Sequence, residues 1–524
     1  MTEFLCIAQG VTENGVNSND FWGRDKMTMT SFVRRIQNVM RNDAGVNGDA
    51  QRMEQLVWLL FLKIYDSKER EWELSRKEYR SVIPEKYRWR SWAADRKDGR
   101  GLNGDDLLSF VNGSLFPAMK NLTIAQNAPM NQAIVKYVFE DARNYMQDGF
   151  LLRQVINMID ELDFTKDRER RSFGGIYEAF LRDLQSAGNA GEFYTPRAVT
   201  DFMAAAVRPQ PGEGIADFAC GTGGFLVSAL EVLRGQAGGE TEENEAVGRN
   251  YFYGAEKKAL PYILCVTNLL LHDVENPMIF RGNTLEAEYK EKEYETAEQF
   301  DVILMNPPFG GKERDSIRAN FPARFRSADT ADLFLNVIML RLKENGRCGV
   351  ILPDGFLFGT DQARRNIKKK LLEEFHLHTV IRLPHGVFAP YTSIATNILF
   401  FDKTHPTKET WFYRLDLPEG YKGFSKTKPV RPEHFNPVLA WWENRQEIYA
   451  DGCAKAKRYA VEELIKRNYN LDLCGYPRPE EEILPPGELI RQYQCRRAEL
   501  NERMDQILAQ ITELLGEEAA EGAE

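Results

Sequence analysis

The run Asn306-Pro307-Pro308-Phe309 follows an apolar stretch, Phe300-Asp301-Val302-Ile303-Leu304-Met305. Its residue types suit the activation of an exocyclic amine on a heteroaromatic base. Such an amine is a poor nucleophile because its lone pair is delocalised into the ring. The side-chain oxygen of Asn306 and the backbone carbonyl of Pro307 can accept its two N–H bonds. This draws the nitrogen toward tetrahedral geometry and frees the lone pair for in-line attack. Phe309 offers a stacking face, worth roughly 1–3 kcal/mol per base. That is comparable to the few kcal/mol needed to turn a base out of a duplex.

The elements that must position these groups follow from the flanking pattern. Residues 300–305 read as a buried parallel strand. Pro307 and Pro308 have no N–H to give a ladder, so the strand stops there, at the end where open α/β sheets place their ligand crevice. A second strand-to-turn motif lies upstream, Ile215-Ala216-Asp217-Phe218-Ala219-Cys220-Gly221-Thr222-Gly223-Gly224-Phe225-Leu226. The apolar positions Phe225, Leu226, Leu230 and Leu233 predict a helix after it. The turn has neither the GxGxxG spacing of a dinucleotide site nor the Gly-Lys-Ser/Thr of a phosphate loop. Asp217 and the pattern around it point to S-adenosylmethionine. A further strand, Tyr251–Ala255, ends in Glu256, placed to accept from both hydroxyls of a ribose. Residues 235–250, rich in Gly and Glu, read as a solvated insertion.

Taken together these motifs resemble the modification (methyltransferase) subunit of type I restriction-modification systems, a family of DNA adenine-N6 methyltransferases. Gly191-Glu192-Phe193-Tyr194-Thr195-Pro196 is similar to the family's glycine–aromatic–Thr-Pro signature at the methionine end of the cofactor. Arg281-Gly282-Asn283-Thr284-Leu285 resembles the segment after the third strand, near the cofactor adenine. Related chains often carry Asp at the position of Asn283, whose amide can still accept from an amine. Residues 349–358 and 396–401 resemble the later strands, and Phe173–Glu178 the helix before the core. The resemblance spans roughly residues 50 to 415 in the family's order.

It implies S-adenosylmethionine as cofactor, held by Glu192, Phe193, Tyr194, Thr195, Pro196, Asp217, Ala219, Cys220, Gly221, Thr222, Gly223, Gly224, Phe225, Glu256, Asn283, Thr284 and Leu285. It implies catalysis by Asn306, Pro307, Pro308 and Phe309 on a flipped adenine, with no metal and no covalent enzyme intermediate. Cytosine-N4 enzymes usually carry Ser at the first position of the loop, and cytosine-C5 chemistry needs a Pro-Cys pair, which does not occur in the chain. Protein-glutamine and RNA-guanine methyltransferases share such a loop but are shorter and lack the 191–196 signature. A non-catalytic, cofactor-sensing assembly subunit is disfavoured by the intact Asn306 and Phe309. The implied partners are duplex DNA, a specificity subunit, a second copy of the modification subunit and a restriction subunit.

Composition bounds the rest. With 524 residues, two or three domains are expected. Seven cysteines are scattered without CxxC pairs, which argues against a zinc site and a disulfide framework and fits a reducing cytoplasm. His376 and His378 alternate as strand residues rather than as metal ligands. No apolar run reaches membrane-spanning length, since Leu56–Leu62 breaks at Lys63. The net charge of −10 is unfavourable for a partner of duplex DNA. Lys312, Arg314, Arg318, Arg324 and Arg326 after the Asn-Pro-Pro-Phe loop are read as DNA or partner contacts, whereas Lys368-Lys369-Lys370 is read as a solvated helix face.

The expected architecture is a doubly wound α/β methyltransferase sheet, residues 166–415, with an antiparallel last strand. A helical N-terminal domain (1–165) precedes it, with residues 95–106 as a loop. A mixed, mostly helical C-terminal region (416–524) follows, too short to read a bipartite DNA site alone. It contains a Lys-rich stretch at 421–432, an aromatic pair at Trp441-Trp442, and a seam at Leu500, Met504, Ile507, Ile511 and Leu514 that could dock on another helix or on its own core.

Overall fold

A computed structural model describes residues 29–94, 101–126, 128–164, 177, 194–237, 250–287, 289, 298–450, 452–476 and 486–521. The chain divides into two compact units, residues 1–475 and 476–524.

Among the described residues the first unit is organised around one ten-stranded sheet. Its strands are β1 (Gly214–Asp217), β2 (Tyr251–Glu256), β3 (Met278–Arg281), β4 (Phe300–Met305), β5 (Leu342–Pro353), β6 (His376–Arg382), β7 (Thr396–Asp402), β8 (Glu409–Arg414), β9 (Ile448–Ala450) and β10 (Cys453–Ala460). Their order is β3-β2-β1-β4-β5-β7-β6-β8-β10-β9. Strands β3, β2, β1, β4 and β5 run parallel. β7 is the antiparallel strand, inserted between β5 and β6, and the last strand before residue 415, β8, runs parallel to β6 rather than antiparallel as expected. The C-terminal region is mixed: β9 and β10 extend the sheet beyond β8, alongside the helices Asn436–Glu443 and Val461–Lys466.

Side chains along the central strands alternate between two cores. Val302 and Leu304 face one, and Ile303 and Met305 the other. That two-residue alternation is why β4 must be apolar throughout: both faces are covered by helices. One face carries the helices Arg197–Val207, Gly224–Gly235 and Ala259–Leu271; the other carries Thr330–Arg341 and Gln362–Glu374. The chain order reverses between β1 and β4, which creates a crevice at their carboxyl ends.

Described residues before the sheet are helical, with the main helices at Met29–Arg41, Asp49–Ser75, Met130–Asp141 and Gly149–Asp160. The helix Asp49–Ser75 buries Trp58, Phe61, Tyr65 and Trp72. Its buried Lys68 pairs with Glu71 at 2.9 Å and with Asp273 beyond the helix Ala259–Leu271, tying the helical region to the sheet. Residues 95–100 lie outside the described residues, and a helix already begins at Gly104, so the expected loop ends earlier than Asp106. Of the segment 173–178 only the helical Tyr177 is described, and most of the insertion 235–250 lies outside the described residues.

Lys368 departs from expectation. It is buried on the helix Gln362–Glu374, and its Nζ donates to Leu357 O at 2.7 Å and Gly359 O at 2.9 Å. These carbonyls end the short helix Asp354–Phe358, so a lysine reaches the negative end of a neighbouring helix. Lys369 and Lys370 pair one turn on with Glu373 and Glu374.

The second unit contains the helix Pro486–Glu521. On it Leu500, Met504, Ile507, Leu508 and Ile511 are exposed. Among the described residues no helix is long and apolar enough to cross a membrane.

Candidate active site

Asp217 closes β1, and its carboxylate accepts the Ala219 N–H at 3.1 Å. The chain then turns sharply. Cys220 N–H donates to Ala255 O of β2 at 3.0 Å, and Gly223 N–H to Cys220 O at 2.8 Å. Gly221 (φ 54°) and Gly223 (φ 83°) adopt left-handed backbone that disfavours a β-carbon. At Gly223 a Cβ would also stand 2.9 Å from Cys265 Sγ. The helix Gly224–Gly235 starts directly from this turn.

Glu256, at the end of β2, accepts the Gly221 N–H on Oε2 at 3.1 Å and the Lys258 N–H on Oε1 at 2.7 Å. Asp217 and Glu256 thus line one pocket, both buried. Burial pushes the Asp217 carboxyl up to about 8, reinforced by the nearby Glu256 charge. Burial also raises Glu256. Two desolvated carboxyl groups side by side suit a ligand that brings positive charge and hydrogen-bond donors.

From β3, Asn283 Oδ1 accepts the Leu285 N–H at 3.1 Å and caps the short turn Thr284–Glu286. Thr284 Oγ1 donates to Phe218 O at 2.8 Å, which fastens this segment to the glycine turn. Asn283 and Thr284 line the cavity, while the Leu285 side chain is buried in the core. One lone pair of the Asn283 oxygen is therefore already engaged, and a ligand amine would meet the other.

The corner after β4 reaches the same space. Asn306, Pro307, Pro308 and Phe309 line a cavity of about 330 Å³ together with Thr195, Asp217, Ala219, Cys220, Gly221, Thr222, Gly224, Phe225 and Glu256. Asn306 Nδ2 donates to Thr195 Oγ1 at 3.0 Å, while Asn306 Oδ1 is buried with no hydrogen-bond partner among the described residues. Phe309 is half-buried and stands edge-on to Phe388, ring centroids 6.0 Å apart. Gly223 supports the turn from behind. Tyr194 is buried in the core, and Pro196 opens the helix Arg197–Val207. Glu192 and Phe193 lie outside the described residues.

Several wall residues carry no local signature. Glu313 and Thr330 line the cavity, where Thr330 N–H donates to Gly311 O at 3.1 Å and its hydroxyl to Glu313 at 3.3 Å. Lys257 follows Glu256, and Tyr391 arrives from the loop between β6 and β7. Of the cations after Phe309, Arg318 and Arg326 donate to carbonyls of their own loop: Arg326 O, Phe321 O and Ala319 O. Lys312 and Arg314 are exposed.

Residues 168–483 match the model of the N-6 DNA Methylase family, and residues 29–159 that of the HsdM N-terminal domain. The chain is 49% identical over 484 residues to the methylase subunit of the type I restriction enzyme EcoEI of Escherichia coli, covering 92% of this chain and 97% of that one. It is 28% identical over 442 residues to the EcoKI methylase subunit of Escherichia coli K12, covering 78% and 76%. Among solved structures, a modification subunit ascribed to a type I restriction enzyme of Vibrio vulnificus YJ016 superposes with a TM-score of 0.72 at 40% identity, over 83% of this chain and 92% of that one. A chain from a structure of complex assembly and conformational transition of the type I R-M system gives 0.75 at 36% identity, over 91% and 97%.

Proposed function

The chain belongs to the methylase subunits of type I restriction enzymes, adenine-specific DNA methyltransferases, and from that premise we propose how its cavity performs the reaction. S-adenosylmethionine, when bound, supplies the electrophilic methyl group. Its ribose diol fits Glu256, and its cationic methionine end fits the Asp217 and Thr195 side of the cavity. The glycine turn lets backbone approach it without steric hindrance from side chains. Tyr194, Pro196 and Leu285 act through the backbone they fix, and Glu192 and Phe193 complete the signature.

The target is the N6 amine of an adenine turned out of duplex DNA. Asn306 Oδ1 and Pro307 O accept its two N–H bonds, and Phe309 stacks on the ring. Catalysis rests on orientation and on polarisation of the amine rather than on a covalent intermediate. One observation carries this reading. The Asn306 oxygen is a buried acceptor without a partner, in the same cavity as the two carboxylates. Buried polar atoms are nearly always satisfied, so a ligand donor is the expected complement.

Sequence recognition belongs, on this reading, to a separate specificity subunit, with a second modification subunit and a restriction subunit completing the assembly that protects host DNA. The helical region 1–165 is assigned to DNA and subunit contacts, 166–415 to catalysis, and 416–524 to docking. The test is Asn306→Ala in the chain assembled with its specificity subunit. Labelled methyl transfer to duplex DNA should fall by at least about 10²-fold, in line with loss of a preorganised polar contact in the transition state, while cofactor affinity stays unchanged. Equal loss of cofactor binding would show that Asn306 holds the cofactor instead.

A further inference from the structure

The segment 421–432 carries Lys422, Lys426, Lys428 and Arg431 and no acidic residue, in a chain whose net charge is −10. All four cations are exposed. The segment is a series of fixed turns rather than a loose tether. Ser425 and Lys428 exchange backbone hydrogen bonds at 3.0 and 3.1 Å, which presents Lys426 and Thr427 at a tip. Tyr421, buried Phe424 and His434 pack ring against ring beneath it, and Lys428 lies 5.0 Å from the centre of the Tyr421 ring.

Its position is set by the wall of the cavity. Phe424 N–H donates to His385 O at 3.1 Å, and a β-carbon on Gly386 would collide with Phe424 O. The loop that begins there continues to Phe388, which meets Phe309, and to Tyr391, which lines the cavity. The basic turn and the base-accepting corner are therefore two ends of one packed unit.

We propose that residues 421–431 form a phosphate-contact surface that seats the DNA backbone beside the extruded nucleotide. This rests on the methyltransferase reading above. A duplex carries one negative charge per about 1.7 Å of its axis. A base delivered into the cavity necessarily brings its flanking phosphates to the neighbouring surface. An acidic protein partner would satisfy the charge but not explain why the patch is tied to the loop that walls the cavity. Contacts of this kind position the duplex and carry no sequence information.

The test uses the full chain assembled with its specificity subunit and compares wild type with the triple variant K422Q/K426Q/K428Q. Affinity for a duplex with the recognition site and for one without it is read by fluorescence anisotropy across a salt series. Loss of three phosphate contacts should reduce the slope of log affinity against log salt by about 2–3. Affinity should fall at least tenfold for both duplexes, with cofactor binding unchanged. The triple Lys→Arg variant should keep the wild-type slope. Should the glutamine variant lose cofactor binding through misfolding, Lys426→Gln alone decides, with an expected slope change of about 1. An unchanged slope, loss confined to the specific duplex, or loss of subunit assembly with intact DNA binding would each overturn the proposal. Wild-type DNA binding without methyl transfer would instead overturn the function on which it rests.

Discussion

Asn306 Nδ2 donates to Thr195 Oγ1 at 3.0 Å, joining the corner after β4 to a residue 111 positions earlier in the chain. The bond fixes which way the amide faces. With its nitrogen held by Thr195, its oxygen is left without a partner among the described residues, the acceptor that the proposed mechanism assigns to the substrate amine. Thr195→Val keeps the volume but removes the hydroxyl. The turnover rate should then fall about tenfold, the worth of one hydrogen bond of roughly 1.4 kcal/mol. Single-turnover methylation at saturating cofactor measures this. A rate equal to wild type would show that the amide needs no such anchor.

Gly223 stands at φ 83° with Cys265 Sγ 2.9 Å from where a β-carbon would lie. Gly223→Ala meets both the left-handed backbone cost, about 1–2 kcal/mol, and the sulfur. Cofactor affinity should fall more than tenfold, and thermal unfolding should begin earlier. The same substitution in a Cys265→Ala background should cost less, because the contact is gone and only the backbone term remains. Equal losses in both backgrounds would show that the sulfur contact does not matter.

The parts of the site readable in the sequence are those that end a strand with a chemical break. Asp217, Glu256 and Asn306 each follow an apolar run; Glu256 and Asn306 directly precede lysine and proline, and a glycine turn opens four residues after Asp217, so their place at the carboxyl edge follows from pattern alone. Tyr391, Glu313 and Thr330 have no such mark. Tyr391 reaches the cavity from the loop between β6 and β7, Thr330 at the start of the helix Thr330–Arg341 is held there by Gly311 O, and Glu313 stands four residues beyond Phe309. Arg318 and Arg326 spend part of each guanidinium on carbonyls of their own loop, a use that a sequence does not show. β10, Cys453–Ala460, alternates small and charged residues, a pattern too weak to announce a strand, yet pairing with β8 orders it.

Lys368 is the sharpest case of that kind. Its burial follows from the placement of the helix Asp354–Phe358, whose last carbonyls it caps at 2.7 and 2.9 Å. Lys368→Met would remove a charged donor from the buried Leu357 O, which keeps the Leu471 N–H at 3.1 Å, and from the half-buried Gly359 O, at a cost of about 1–3 kcal/mol. Lys369→Met, on the exposed side of the same helix, should change stability by less than about 0.5 kcal/mol. Chemical denaturation of the two variants checks the difference. Equal stability would return the triplet to a solvated face.

If the cavity holds the cofactor as proposed, Asp217 makes its binding sensitive to pH in a direction that can be worked out. Burial raises its carboxyl from an ordinary 3.8 to about 8. Between those values the folded chain holds a proton that the unfolded chain has released, so folding takes up a proton. Stability without cofactor therefore falls as pH rises through that window. A ligand bringing positive charge favours the carboxylate and ejects the proton when binding occurs below pH 8. Affinity for S-adenosylmethionine should increase from pH 6.5 to about 8 and then level off. Calorimetry at pH 7 in two buffers of different ionisation enthalpy should report net proton release. Glu256, also raised by burial, remains in the variant Asp217→Asn. That variant should lose most of the proton release and flatten the affinity profile over the same range. Binding without proton release in the unmodified chain would mean that the carboxylate is already charged before the cofactor arrives, and that something other than Asp217 selects for the cation.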